Sequence, residues 1–149
     1  MTDKQVVEIR RLSQKFAYNS IEMHSAIAKR AGFPGTDHKY LGFFLQKGKL
    51  TAGELAELTG LTTGSVTALI DRFEKKGLVR REPDSVDRRK VFIVPEREKI
   101  MNLMKPFYQG FQDDTDKLIA SFSVSEREVI RNYLTKALQL AATTLHKFK

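Results

Sequence analysis

The sequence TAGELAELTGLTTGSVTALIDRFEKKG, residues 51–77, has the pattern of two short helices joined by a tight turn. Thr51 and Glu54 have the spacing of a capping box, in which each side chain accepts a hydrogen bond from the backbone N–H of the other residue. The first helix is expected to end at Gly60, because glycine readily adopts the left-handed conformation that closes a helix. A second helix follows after about three residues and is expected to stop at Gly77.

This pattern predicts a helix-turn-helix. Such a motif requires a small residue where its helices cross, a glycine that reverses the chain, and aliphatic residues on the inner face of the second helix. Ala56 and Gly60 supply the first two features, and the predicted inner face consists of Val66, Leu69, Ile70 and Phe73. The residues then expected outside or along the flank are Thr62, Thr63, Ser65, Thr67, Ala68 and Arg72.

The second helix begins with poor helix formers, from Thr62 to Thr67. Small hydroxyls there let the backbone approach DNA closely and bond phosphate oxygens or base edges, while the positive end of the helix dipole favours the anionic strand. Gly64 fits a place where a side chain would collide with the duplex. The alternative is that Thr62 is only an N-cap and the other hydroxyls are incidental surface.

A hairpin is predicted after this helix, with strand-like runs at residues 78–81 and 90–94 joined by the polar loop 82–89. Arg88 and Arg89 lie at its tip, where long cations can enter the minor groove of DNA. Asp87 is expected to pair with an arginine and stabilise the loop. The alternative is a solvated hairpin whose charges prevent edge-to-edge pairing with other sheets.

The charge of the chain agrees with a polyanionic partner, either nucleic acid or an acidic membrane face. Its 26 Lys and Arg exceed its 18 Asp and Glu, which gives a formal charge of +8 and a pI near 9.8. Residues 72–90 contain eight Lys or Arg and four Asp or Glu, so half of the excess lies in the second helix and the hairpin.

Long amphipathic helices are predicted on both sides of this region. Apolar residues recur at threes and fours over residues 6–27 and 100–122, and Pro106 is expected to bend the second of these helices without ending it. A short helix is expected over residues 36–46. The capping-box spacing of Ser125 and Glu128 predicts the start of a last helix. Its expected apolar face is Ile130, Leu134, Ala137, Ala141, Leu145 and Phe148.

The apolar faces of the first and last helices are expected to pack against a second copy of the chain, since twofold dimers are the commonest soluble oligomers. Packing within one chain is the alternative.

Residues 51–94 resemble the DNA-binding core of the MarR family of winged-helix transcriptional regulators, most specifically in LIDRFEKKGLVRR and in the Asp87-Arg88-Arg89 wing. The resemblance implies a mostly α fold with a small β-hairpin wing in one domain, residues 1–149. Residues 1–35 and 96–149 would form dimerisation helices, and residues 36–95 the winged helix-turn-helix lobe.

The resemblance further implies a homodimer that binds a palindromic operator in double-stranded DNA, usually as a repressor, and releases it when a small aromatic effector binds. A cytoplasmic location is expected from the absence of cysteine, of a signal peptide and of a membrane span. It assigns recognition-helix contacts to Thr62, Thr63, Ser65 and Thr67, a phosphate contact to Arg72, and wing contacts to Arg88 and Arg89. Gly64 and Ala68 stand where relatives often carry basic residues, so base specificity is expected to rest on hydroxyl and methyl contacts and on DNA shape.

Catalytic and metal sites are not expected. The chain has no cysteine, its three histidines lack ligand spacing, and it has neither a nucleophile elbow nor a phosphate-binding loop. No cofactor, signal peptide or membrane span is predicted.

An effector pocket is expected from Phe16, Tyr18, His24 and Phe43, although aromatic residues at helical spacing are more often plain core. A winged helix that binds only proteins is the alternative function.

Overall fold

The computed structural model describes Met1 and residues 3–149, and helices dominate it. The part of the chain that it describes contains six α-helices and a three-stranded sheet, which confirms the mostly α fold with a small wing. In chain order the elements are α1 (Lys4–Arg30), α2 (Asp37–Lys47), β1 (Leu50–Thr51), α3 (Ala52–Thr59), α4 (Thr63–Lys75), β2 (Val79–Pro83), β3 (Val91–Pro95), α5 (Arg97–Ala120) and α6 (Val124–Lys147).

The chain divides into two compact units, residues 1–107 and residues 108–149, and the division falls within α5. The first unit contains the helix-turn-helix and the sheet, and the second contains the end of α5 and all of α6. The predicted limits of the dimerisation helices and of the DNA-binding lobe stay predictions. Among the described residues, no helix is both long enough and apolar enough to cross a bilayer.

The helix-turn-helix forms as predicted. The Thr51 side chain accepts a hydrogen bond from the N–H of Glu54 at 3.1 Å, and the Glu54 carboxylate accepts one from the N–H of Thr51 at 3.2 Å. Gly60 closes α3 with a positive φ of 73°, and Thr62 caps the start of α4. The capping box fixes the start of α3, and Gly60 and Thr62 fix the two helix ends that flank the turn.

The sheet has β3 at its centre and the strand order β1-β3-β2. β2 and β3 pair antiparallel, with Val79 opposite Pro95 and Pro83 opposite Val91. β1 was not predicted, because its two residues are too few to show the alternation that marks a strand. It pairs Leu50 with Ile93 and thereby attaches the wing to the residue that precedes the Thr51 cap.

The core of the first unit lies beneath α4. All four predicted inner residues of α4 are buried, which confirms the inward face of this helix. Phe73 meets Phe33 and Phe44 edge to face, with ring centroids 6.3 Å and 6.4 Å apart. The other fully buried large side chains of this core are Leu55, Val66, Leu69, Ile70 and Ile100.

Pro106 lies inside α5 and does not end it, as predicted. The capping box assigned to Ser125 and Glu128 was wrong, because α6 begins two residues earlier, with Ser123 as its N-cap and Glu126 as its partner. The same Ser-x-x-Glu spacing occurs in both registers, and the earlier start extends the helix by two residues. The backbone N–H of Ser123 donates to Glu126 and lowers the pKa of that carboxyl.

Candidate nucleic-acid interface

The start of α4 presents hydroxyl groups to solvent. Thr62 accepts the backbone N–H of Ser65 at 3.2 Å and donates its own hydroxyl hydrogen to the Ser65 Oγ at 3.0 Å. The Thr67 hydroxyl donates to the carbonyl oxygen of Thr63 at 3.0 Å. The Thr63 hydroxyl makes no hydrogen bond to any residue that the structure describes, so it has both its donor and its acceptor capacity available.

Gly64 lies on the exposed side of α4 and is not required by packing. A Cβ atom built on it would meet nothing within 4 Å, and its φ is not in the left-handed region that favours glycine. Glycine is a poor helix former, and no described residue packs closely enough against the second position of α4 to require it. A close approach by something outside the chain would account for it.

Arg72 lies on the flank of α4 and pairs with Asp37, the first residue of α2. Its Nε donates to Oδ2 at 2.7 Å and its Nη2 donates to Oδ1 at 2.9 Å, in the bidentate geometry typical of strong arginine–carboxylate pairs. These hydrogen bonds raise the pKa of the Arg72 guanidinium, which therefore stays charged. This pair could not be predicted from the sequence, because 35 residues separate its members and Asp37 looks like an ordinary acidic residue in the first turn of a helix.

Two further arginines of the basic region are held by carboxylates. Arg81 of β2 reaches back to α4, with Nη2 at 2.6 Å from Asp71 and Nη1 at 2.5 Å from Glu74. Arg80 donates to Glu96 at 2.8 Å and to Glu82 at 3.1 Å. The charge count over residues 72–90 therefore overstates what is available to an external anion. Arg89 contacts Asp87 but keeps a side chain that is 94% exposed. The other exposed cations of residues 72–90, for which the described part of the chain shows no carboxylate contact, are Lys75, Lys76, Arg88 and Lys90.

The wing turn is closed by its own backbone and by Asp87. The N–H of Asp84 donates to the carbonyl oxygen of Lys90 at 2.9 Å, and the N–H of Lys90 donates to that of Asp87 at 3.0 Å. The Asp87 carboxylate accepts the backbone N–H of Arg89 at 3.1 Å and its Nε at 3.4 Å. The Arg89 side chain is nevertheless 94% exposed, and Arg88 is exposed beside it. Two cations thus project from a turn of fixed shape.

The four residues expected to line an effector pocket are not enclosed in one protomer. Phe16 and Tyr18 are 67% and 71% exposed on α1, and His24 is also exposed. Phe43 is half-buried on α2, where its ring stacks on Tyr40. Side chains exposed to this degree do not surround a ligand, so a single chain does not form the expected pocket around them.

Comparison with known proteins identifies relatives along nearly the whole chain. A family model described as MarR family matches residues 31–90. The HTH-type transcriptional regulator YcgE of Bacillus subtilis is 38% identical over 141 residues, which are 93% of this chain and 89% of YcgE. MhqR of the same organism, also an HTH-type transcriptional regulator, is 28% identical over 131 residues, covering 87% of this chain and 89% of MhqR.

A solved structure of a MarR family protein from Bacillus stearothermophilus superimposes with a TM-score of 0.72. The two chains are 27% identical, and the match covers 95% of this chain and 99% of the other. The similarity thus includes the long helices at both ends as well as the helix-turn-helix.

Proposed function

Since the chain belongs to the MarR family and is a DNA-binding transcriptional regulator of the winged helix-turn-helix type, we propose that it is a homodimeric repressor that binds a palindromic operator. In this proposal the start of α4 enters a major groove, and Arg88 and Arg89 reach the adjacent minor groove. A second copy presents the same surface to the other half of the operator.

The observation that carries this proposal is the surface of α4 together with the wing. The helix buries four apolar side chains on one face and exposes small hydroxyls and an unexplained glycine on the other. Arg81 of β2 pairs with Asp71 and Glu74 of α4, so the recognition helix and the base of the wing are linked by charge as well as by the core. Both candidate DNA-contacting elements are therefore parts of one lobe.

The homodimer is supported by apolar side chains that one chain leaves exposed. α6 has no buried residue in the isolated chain, although Leu134, Leu138 and Leu145 lie on it. α1 likewise exposes Ile9 and Leu12. Exposed apolar residues in this number typically mark an interaction surface, and a second copy would bury them.

The proposal also includes release of the operator when a small aromatic effector binds. Phe16, Tyr18 and His24 are accessible on α1, and a second protomer would be needed to enclose a ligand beside them. Titration of operator-bound protein with simple phenolic and aryl carboxylate compounds tests this part separately from DNA binding.

We expect Arg89→Ala to weaken operator binding and to lower the magnitude of the salt slope, d log K/d log[salt], by about one unit per protomer, because one phosphate-like contact is lost. Fluorescence anisotropy with a labelled duplex at several salt concentrations measures both quantities. Arg131→Ala, which removes an exposed arginine that pairs with Glu128 on α6, is the control for lost net charge. An unchanged slope for Arg89→Ala would remove the wing tip from the interface.

We expect Thr63→Ala to reduce discrimination between the operator and random DNA by about 1–3 kcal/mol, the value of a good base contact. The free hydroxyl of Thr63 makes this substitution cleaner than a change at Thr62, which would also remove the N-cap. Affinities for operator and random duplexes measured in the same buffer give the result. Equal losses on both duplexes would assign Thr63 to the DNA backbone.

Selection of bound sequences from a random duplex library tests the proposal as a whole. The expected outcome is a palindrome whose half-sites are centred about one helical turn apart, as a twofold pair of recognition helices requires. The rival function is a winged helix that binds only proteins. It predicts no enriched sequence and little of the steep salt dependence that phosphate contacts produce.

A further inference from the structure

Among the charged residues that the structure describes, Asp37 is the one that is buried, and its carboxylate contacts Arg72. The residue is 6% exposed, and both carboxylate oxygens accept hydrogen bonds from Arg72. A carboxylate removed from water is costly unless it is paired and hydrogen-bonded. The buried Asp37 carboxylate is therefore compensated by its pair with Arg72 of α4.

The way in which Asp37 holds Arg72 leaves one edge of the guanidinium free. Nε and Nη2 face the carboxylate, so the N–H groups of Nη1 point away from it. The Arg72 side chain is 44% exposed despite the pair. It therefore keeps donors for a second anion while its orientation is fixed by the first.

Arg72 opens onto the same surface as Ser65. The two residues are two helical turns apart on α4, and both line an open cleft of about 530 Å³ beside the turn between α1 and α2. Asp37 forms part of the wall of this cleft. The free edge of the Arg72 guanidinium thus lies along the flank of α4. The exposed hydroxyl groups lie at the start of the same helix, which Thr62 caps.

We propose that Asp37 is a positioning residue for DNA binding, which holds the Arg72 guanidinium so that its Nη1 edge meets a backbone phosphate beside the recognition helix. The inference rests on the proposed function and adds to it a residue from outside the helix-turn-helix and the wing. Without Asp37, the long arginine side chain samples many rotamers and must be ordered when DNA binds.

Asp37 also ties α4 to the start of α2. Arg81 links α4 to β2 through Asp71 and Glu74, which lie on another flank of the helix. The recognition helix is therefore attached by ion pairs to the element before the helix-turn-helix and to the wing. The acidic side chains that hold Arg81 are 61% and 43% exposed, whereas the Asp37 side chain is 9% exposed. The Asp37 pair is therefore the less screened by solvent of the two attachments.

The test compares Asp37→Asn, Arg72→Gln and the double variant on the operator selected from the library and on random duplex. Glu128→Gln is the matched control, because it makes the same carboxylate-to-amide change in an exposed ion pair of α6. Asp37→Asn and Glu128→Gln each raise the net charge by one, and this change by itself favours DNA binding. Relative to Glu128→Gln, we expect Asp37→Asn to lower operator affinity about tenfold, the scale of a charge-assisted hydrogen bond.

The salt slope separates positioning from contact. Arg72→Gln is expected to reduce the magnitude of the slope by about one unit per protomer, whereas Asp37→Asn leaves it nearly unchanged because the cation is still present. The double variant is expected to bind no more weakly than Arg72→Gln, since Asp37 acts through Arg72. A residue that merely supports the fold would not give this pattern.

Three outcomes would overturn the inference while leaving the proposed function in place. Asp37→Asn that binds the operator as tightly as Glu128→Gln shows that the carboxylate does not position Arg72. Additive losses in the double variant show that the two residues act independently, and an unchanged slope for Arg72→Gln shows that no phosphate is met. A wild-type protein that selects no sequence would overturn the proposed function, and this inference with it.

Should Asp37→Asn fail to fold, Asp37→Glu keeps the charge and changes only its reach. It is expected to bind the operator more weakly than wild type with an unchanged salt slope. Binding as tight as wild type would then count against positioning, because a carboxylate one methylene longer cannot hold the guanidinium in the same place.

Discussion

Phe73→Ala is expected to lower the free energy of unfolding by about 3–5 kcal/mol, the usual cost of removing a fully buried phenylalanine and leaving a cavity. The ring is completely buried and meets Phe33 and Phe44 edge to face. Phe33 follows α1, Phe44 lies on α2, and Phe73 lies on α4, so one side chain joins three parts of the lobe. Denaturant unfolding followed by circular dichroism at a fixed protomer concentration measures the loss.

The control for Phe73→Ala is Val86→Ala in the wing turn, where the side chain is almost fully exposed. Substitutions at such positions usually change stability by no more than about 0.5 kcal/mol. A loss below about 1 kcal/mol for Phe73→Ala would mean that the three aromatic rings are not the centre of the lobe.

The helix-turn-helix could be predicted because its signals are local. The Thr51 capping box, the glycine stop at Gly60 and the inward spacing of Val66, Leu69, Ile70 and Phe73 each involve residues a few positions apart. Hydrogen bonds and side-chain periodicity within that range are fixed by helix geometry alone. The same locality explains the error at Ser125, since two overlapping Ser-x-x-Glu registers satisfy one rule equally well.

The electrostatics of the candidate site could not be predicted, because they depend on the folded arrangement. Counting charges along residues 72–90 treats every arginine as available, whereas the structure holds Arg72, Arg80 and Arg81 on carboxylates. Asp37 and Arg72 are brought together only when α2 packs beside α4. The wing arginines differ, because Asp87 lies two residues from Arg89 and the pairing follows from the turn itself.

This distribution of charge has a functional consequence. Arg72 and Arg81 link the recognition helix to other elements through carboxylates, whereas the wing arginines are largely exposed. If the first two orient the helix and the wing arginines supply attraction, then loss of Arg72 or Arg81 should alter specificity as well as affinity. Loss of a wing arginine should mainly alter affinity and its salt dependence. The sparse charge on the exposed face of α4, where Gly64 and Ala68 lie, leaves base discrimination to hydroxyl and methyl contacts and to DNA shape.

The largest effect on operator binding is expected from Leu134→Glu on α6. Leu134 is 53% exposed in the single chain, and in the proposed homodimer it becomes part of an apolar interface. An unpaired carboxylate would then be buried once in each protomer, at a cost of several kcal/mol. A protein that loses its partner also loses the second half-site contact, which typically lowers affinity by about 10² to 10⁴. Size-exclusion chromatography with light scattering and operator titration measure the two effects.

Gln139→Glu is the matched control, because it adds the same charge to the same helix on the side opposite the apolar face of Leu134 and Leu145. This variant should remain dimeric and lose only the small amount of affinity that one extra negative charge costs. Both variants should keep the helix content of the wild type, since glutamate is a good helix former. If Leu134→Glu stays dimeric and binds the operator like Gln139→Glu, then α6 does not pair with a second copy. The exposed apolar residues of α6 would then need another partner, and the twofold symmetry proposed for the operator would lose its structural basis.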